Sequence, residues 1–505
     1  MKLSAYTLRN ISSANVIVPD KALLELPEKV LQFGTGMLLR GLPDYFIDKA
    51  NRMGIFNGRI VVVKTTSRGD AGAFDKQDGL YTVCVRGLQD GKKVEENIIN
   101  SSISRVLNAA NEWEQILECA HNQSMQVIIS NTTEVGIKLV NDDIRRHPPV
   151  SYPGKLLAFL YERFAAFNGN EKSGFVIVPT ELIPDNGKKL ESIGLELARL
   201  NGMEDDFIEW VKRCNYFCNS LVDRIVTGTP GEEVKTEIEN ELGYKDDLVT
   251  VCEVYRLWAI EGDDHIKKIL SFAGADEGMA IEQDINLYRE LKLRLLNGTH
   301  TLSCGVAFLA GIYTVKNAMD DEAMERFIAD LMLQEIGPSI PFDIPGEAIR
   351  VYAENVLDRF RNPHIDHYWK NITLNYSSKI KLRCIPVLIN HYKKYNTVPE
   401  LIALGFAAYI YFMKSVKQNA NEFFGEYAGD QYLIQDEVAD KFYKWWQNSD
   451  AENVAKEVLK DASLWGEDLS ALPGFQQSVI EKLNSIITNG MKPTLENVQQ
   501  KKIYA

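Results

Sequence analysis

Residues 29–36 read Lys-Val-Leu-Gln-Phe-Gly-Thr-Gly. Five residues of β character stop at Gly34, and beyond Gly36 the apolar spacing changes. Leu38, Leu42, Phe46 and Ile47 then mark one face of a helix. A G-x-G turn between a first strand and a first helix is what backbone approach to a pyrophosphate requires. One glycine makes the tight turn, and the other lets N–H groups at the helix N-terminus reach the anion. The third glycine of the usual fingerprint falls at Leu39 and is missing; Gly41 comes two residues late. A lone G-x-G also serves chain geometry alone, so the turn needs support from what surrounds it.

Three more runs supply that support: Ile60–Val63 (IVVV), Val127–Ser130 (VIIS) and Phe175–Val178 (FVIV). Each is continuously apolar, as in strands buried on both faces of a parallel sheet, and helix-like segments lie between them. This alternation predicts an α/β class, with an N-terminal Rossmann-like doubly wound sheet. Gly79–Arg86 alternates instead and reads as a hairpin strand. After the second strand no carboxylate follows at once; Lys64 and Arg68 precede Asp70, so NAD and NADP both stay open. From Tyr288 onward helical periodicity dominates, as in Glu322–Met332, Leu401–Met413 and Glu437–Trp446. Two domains are expected, a dinucleotide-binding α/β domain over 1–275 and a mostly α-helical substrate and catalytic domain over 276–505.

The chain has 505 residues, and 70 acids against 56 bases leave a net charge of −14, which argues against nucleic acid as a partner. No apolar run reaches the roughly 18 residues of a membrane span, and the N-terminal sequence lacks a signal-peptide pattern. Seven scattered cysteines without a C-x-x-C pair are expected to be reduced thiols in a cytoplasmic protein. Cys214 and Cys218 have no neighbouring histidine or second cysteine pair to complete a zinc site, and His364-x-x-His367 lacks a third ligand. No metal is expected.

A second chemical signal lies in Tyr288–His300, YRELKLRLLNGTH. At about 100° per residue, Asn297 projects about 140° and His300 about 80° from Lys292 on a regular α-helix. A partly desolvated lysine can lose its charge and take a hydroxyl proton. An amide can donate to an oxygen as negative charge develops, and an imidazole can hold a neighbouring hydroxyl. The bland alternatives are a solvated lysine, an Asn-Gly helix stop and a satisfied buried histidine.

Lys292-x4-Asn297-Gly-x-His300 resembles the catalytic signature of the polyol-specific long-chain dehydrogenases, the mannitol dehydrogenase family. Phe217–Ile225 (FCNSLVDRI) is similar to that family's V-D-R-I block, and Arg359-Phe-Arg-Asn362-Pro363 to its R-F-x-N-P element. Thr227-Gly228 departs from the family, which usually has Pro or Ser there. The Thr180-Glu-Leu182 turn is similar to the family's sugar-acid branch. The resemblance implies a metal-independent NAD enzyme acting on a sugar acid or polyol. Lys292 would be its general acid/base, with Asn297, His300 and Asn186 contacting the reacting oxygen or substrate. From Leu31–Arg40 and Ser130–Gly136 it implies cofactor contacts at Gly34, Thr35, Gly36, Met37, Leu38, Arg40, Asn131 and Thr133. A substrate carboxylate would need cations; Arg359 is the first choice, Arg361 and His364 flank it, and Lys379, Lys381 and Arg383 alternate nearby. A non-catalytic nucleotide-binding protein, or a lyase or epimerase using NAD transiently, would be the competing classes.

Overall fold

The computed structural model describes residues 1–11, 15–65, 72–132, 136–228 and 230–503. The chain forms two compact units, Met1–Gly87 with Lys93–Ile285, and Leu88–Lys92 with Asn286–Ala505.

The first unit is built on six strands: β1 (Glu28–Phe33), β2 (Arg59–Lys64), β3 (Ile103–Asn108), β4 (Val127–Ser130), β5 (Val176–Pro179) and β6 (Tyr216–Phe217). All neighbouring pairs are parallel, in the order β3-β2-β1-β4-β5-β6. This is the doubly wound order whose direction reverses between β1 and β4, leaving a crevice beyond their carboxyl ends. The continuous apolar runs follow from burial on both faces. Val30, Ile60, Val62, Ile129 and Val178 join one core, while Leu31, Val61, Val63, Ile128 and Ile177 join the other. Successive side chains of a strand point to opposite faces, so a run such as IVVV feeds both cores at once. Tyr81–Gln89 and Lys92–Asn100 lie side by side in a separate four-stranded sheet. Asp90 and Gly91, with φ of 52° and 68°, make the turn between them.

The second unit begins with a helix that changes pitch twice. An α-helical turn, Asn286–Glu290, runs into a π-helical segment, Leu291–Leu296, and resumes as an α-helix over Asn297–Leu309. Helices dominate the remainder, including Glu322–Asp330, Glu400–Phe412 and Ala439–Asn448. The sequence reading missed one element there, a three-stranded antiparallel sheet of Ser415–Asn419, Glu422–Tyr427 and Asp430–Ile434. Its turns place Ala420 and Ala428 at φ of 52° and 54°, positions that normally carry Asn or Gly, so the usual hairpin signal is weak. No helix among the described residues is long and apolar enough to cross a membrane.

Candidate active site

β1 ends at Phe33, and the chain leaves it through Gly34 at φ +124°, a conformation that L side chains rarely adopt. A Cβ on Gly34 would lie 2.9 Å from the Asn131 carbonyl oxygen and 3.0 Å from Leu39 Cδ1. The first glycine is therefore demanded by the turn and by the adjoining end of β4. Gly36 is different: it is exposed, and a Cβ there would meet only Asn131 Oδ1, at 4.0 Å. The protein leaves that space open, as a cradle for a ligand's phosphates requires. The helix Met37–Gly41 starts on Gly36 without a side-chain cap, so no cap from that residue occupies its first N–H groups. Asn131 flanks the turn, with its Nδ2 donating to Thr180 Oγ1 at 2.9 Å.

Gly41, two residues late for the usual fingerprint, does the close-packing work of the missing third glycine. A Cβ there would come within 2.7 Å of Val226 Cγ2. The V-D-R-I block reinforces this junction. Arg224 donates to the Gly41 carbonyl at 2.7 Å and to the Glu253 carbonyl at 3.0 Å, and stacks over Tyr45.

Several predicted contacts are reassigned by the geometry. Arg40 is buried, donates to the Leu248 carbonyl and packs against Phe74 and Tyr81. It is an internal strut, because its long side chain runs into the core rather than toward the turn. Asn186 is likewise consumed within the fold. Its Nδ2 donates to the carbonyls of Pro179, Glu181 and Ser220 at 3.0–3.1 Å, and its Oδ1 accepts from the Gly187 and Ser220 N–H groups at 2.9 Å. A carboxamide with both ends occupied by buried backbone has nothing left to offer an oxyanion. Lys64 is buried, and Thr133, Arg68 and Asp70 lie outside the described residues.

In the second unit, Lys292 lies inside the π segment and Asn297 follows its last residue. The Asn297 N–H donates to the Lys292 carbonyl, the five-residue closure of a π turn, and also to the Leu293 carbonyl. Each residue of such a turn advances less around the axis than in an α-helix. Asn297 is consequently brought closer to the Lys292 side than the 140° of a regular helix allows. Lys292 is half-buried, and among the described residues the Asn297 carboxamide has no hydrogen-bond partner. π turns of this kind are frequent at functional sites.

His300 stands one α-turn further on. Its ring stacks on Phe360 at 4.3 Å between centroids and meets His367 at 5.1 Å and Trp369 at 5.8 Å. Its Nε2 is buried without a hydrogen-bond partner. Burial depresses its pKa well below the usual histidine value, and His367, Arg359, Arg383 and Lys379 depress it further. The imidazole is therefore neutral at physiological pH. His367, singled out in the sequence only as half of a weak metal pair, is thus an aromatic neighbour of His300. Among the described residues, no three His, Cys, Asp or Glu side chains are grouped to hold a metal ion.

The candidate cations separate in the same way. Arg359 is half-buried at the end of the helix Gly346–Phe360 and acts electrostatically on both His300 and His367. Arg361 instead pairs with Glu325 at 2.7 Å and Asp358 at 3.5 Å, so its charge is already spent. His364 is exposed, and its backbone N–H donates to Asn362 Oδ1.

Residues 28–272 match the mannitol dehydrogenase Rossmann domain, and residues 284–487 match the mannitol dehydrogenase C-terminal domain. The chain belongs to the mannitol dehydrogenase family. It is an oxidoreductase of the polyol and sugar-acid dehydrogenase class. Altronate oxidoreductase of Bacillus subtilis (strain 168) is 40% identical over 476 residues, covering 94% of this chain and 95% of that protein. Altronate oxidoreductase of Halalkalibacterium halodurans is 36% identical, covering 94% of each. Among solved structures, Pseudomonas fluorescens mannitol 2-dehydrogenase, in ternary complex with NAD and D-mannitol, shares the fold. Its TM-score is 0.69 at 23% identity, covering 99% of this chain and 100% of that one. A substrate-free D-sorbitol dehydrogenase superposes with a TM-score of 0.77 at 19% identity, covering 98% of this chain and 100% of that one. The Rossmann sheet and helical C-terminal region described above are those of this family.

Proposed function

We propose that the protein is a cytoplasmic, NAD-dependent oxidoreductase that interconverts D-tagaturonate and D-altronate without a metal ion. The first unit would bind the dinucleotide and the helical unit would carry the substrate chemistry. The observation that carries this reading is the joining of Lys292 and Asn297 across one π turn, with His300 neutral one turn beyond. The names of the altronate oxidoreductase relatives support altronate as the substrate.

The open space at Gly36 and the uncapped helix start fit a dinucleotide pyrophosphate, held by backbone groups of Gly34–Leu38 beside Asn131. When bound, NADH supplies the hydride that reaches the ketone carbon. Lys292, protonated, gives its proton to the ketone oxygen, so that the carbonyl becomes a secondary alcohol; in the reverse direction neutral Lys292 takes that proton back. Asn297 donates to the oxygen while its charge develops. His300, neutral and with Nε2 unengaged, holds an adjacent hydroxyl of the sugar chain. Arg359 adds positive charge beside the histidine pair.

Following NADH absorbance with D-tagaturonate, D-fructuronate and D-fructose tests the assignment. Tagaturonate should give the highest kcat/KM. A clear preference for fructuronate or fructose would transfer the enzyme to fructuronate reductase or mannitol 2-dehydrogenase activity. No turnover with any of the three would leave a non-catalytic nucleotide-binding protein. Lys292→Ala should lower turnover by about 10²–10⁴ while NADH binding, read by fluorescence titration, stays near that of the wild type. Undiminished turnover in that variant would remove Lys292 from the mechanism.

A further inference from the structure

The helix Tyr376–Arg383 sorts three cations by the pitch of an α-helix. Lys379 and Arg383, four residues apart, share one face, whereas Lys381 is exposed and reaches the Ser463 carbonyl at 3.4 Å. The shared face lies against the helix that carries Asn297 and His300. Arg383 Nη1 donates to Thr301 Oγ1 at 3.1 Å and toward the Asn297 carbonyl at 3.5 Å, and its Nε is buried without a partner. Arg294 closes the same junction from the other side, donating from within the π turn to the carbonyls of Leu382 at 2.6 Å and Arg383 at 3.1 Å. Lys379 Nζ donates to the Ile372 carbonyl at 2.9 Å.

These two cations are half-buried, yet among the described residues neither forms an ion pair with a carboxylate. Asp436 acts on Lys379 from a distance, but its oxygens accept from the Ser377 and Val438 N–H groups at 2.8 and 3.1 Å. Burial and then repulsion from Arg383 lower the Lys379 pKa, burial lowers that of Arg383, and both cations bear on His300. A protein of net charge −14 thus keeps two half-buried cations, without a carboxylate ion pair among the described residues, beside its candidate catalytic helix. Such an arrangement is costly unless an anion completes it; with the dinucleotide's phosphates assigned to Gly34–Leu38, the anion left for this pair is the substrate's own carboxylate.

We propose that Lys379 and Arg383 form the subsite for the substrate's terminal carboxylate, and that this pair selects sugar acids over neutral polyols. The inference rests on the sugar-acid reading above. Arg383 offers a planar fork suited to two carboxylate oxygens, and Lys379 a compact charge beside it.

Calorimetric titration of the full-length, NADH-saturated protein, in which altronate cannot be oxidised, with D-altronate and D-altritol tests it, because the two ligands differ only in carboxylate against CH₂OH. Wild type should bind altronate at least tenfold more tightly than altritol. Lys379→Gln should collapse that ratio by about tenfold or more, with the altronate KM rising far more than kcat changes. Arg383→Lys, which keeps the charge, should retain part of the ratio, and Lys381→Gln should retain all of it. Equal weakening of both ligands in Lys379→Gln, or an unchanged ratio, would overturn the subsite, as would a wild type that binds the two alike. A wild type that binds altronate in this Lys379-dependent way but does not oxidise it would keep the subsite and refute the proposed reaction.

Discussion

Replacing Asn186 with alanine separates a structural role from a catalytic one. The carboxamide joins the end of β5 to the strand Ser220–Asp223 through five hydrogen bonds to backbone atoms. Some of these groups have other partners. The Pro179 carbonyl keeps the Ser220 hydroxyl, and the Glu181 carbonyl keeps the Ile183 N–H at 2.8 Å. Ser220 has no such reserve. It pairs with Ile260 in an antiparallel ladder, and the neighbouring Glu261 N–H donates to Asn219 at 2.8 Å. Hydrogen-bonded and non-bonded pairs alternate along such a ladder, so the Ser220 N–H and C=O face away from it, toward Asn186. Truncation strands both of them, part-buried, and the buried Gly187 N–H. At about 1–3 kcal/mol for each unsatisfied group, a loss of about 3–5 kcal/mol is expected. With about 2–4 °C per kcal/mol for a domain of this size, the apparent Tm should fall by roughly 6–20 °C. Differential scanning fluorimetry reads that shift, and kcat measured well below the transition should stay within a few-fold of wild type. An unchanged Tm with kcat reduced about 10²–10³-fold, as for a lost oxyanion donor, would refute the structural assignment.

The two glycines of the first turn should respond differently. Gly34→Ala forces a Cβ against the Asn131 backbone at positive φ and should lower Tm and NADH affinity together, whereas Gly36→Ala should leave Tm nearly unchanged while raising the NADH Kd at least tenfold, readable by fluorescence titration. Asp44 provides a pH signature. It is fully buried against Gln32 and Tyr81, and burial raises its pKa to about 7, with one carboxyl oxygen and Gln32 Oε1 left without partners. Because the folded value lies above the unfolded one of about 3.9, the stability gained from native-state protonation is fully present below about pH 4 and lost as pH rises through 7. Asp44→Asn removes that dependence, so its advantage over wild type in urea unfolding should grow by about 2–3 kcal/mol between pH 5 and pH 8; parallel pH profiles would contradict it.

The sheet was legible because strands buried on both faces must be continuously apolar, and Ile60–Val63 and Val127–Ser130 can be little else. The Lys292–Asn297–His300 spacing was legible as a candidate for proton-transfer chemistry, through its residue types and its family resemblance, beside an ordinary structural reading of each residue. Its geometry was not. Nothing in LKLRLL announces a π turn, because its apolar spacing suits an ordinary α-helix equally well. The three-stranded sheet escaped notice because alanine takes the left-handed position at 420 and the first one at 428, which leaves Gly429 as the one glycine signal in its two turns.

By itself, the sequence determined the four central strands β1, β2, β4 and β5 with helices between them, the glycine that lets β1 turn, and the residue types available for proton transfer. All of these depend on local periodicity and on what a side chain can do chemically. Only the tertiary structure decided which polar groups were already spent. Asn186, Arg40 and Arg361 look as eligible in the sequence as Asn297, Lys379 and Arg383. The first three meet buried carbonyls, backbone N–H groups or carboxylates that consume their hydrogen bonds and charge. A side chain's availability depends on partners distant in the chain, and folding alone brings those partners to it.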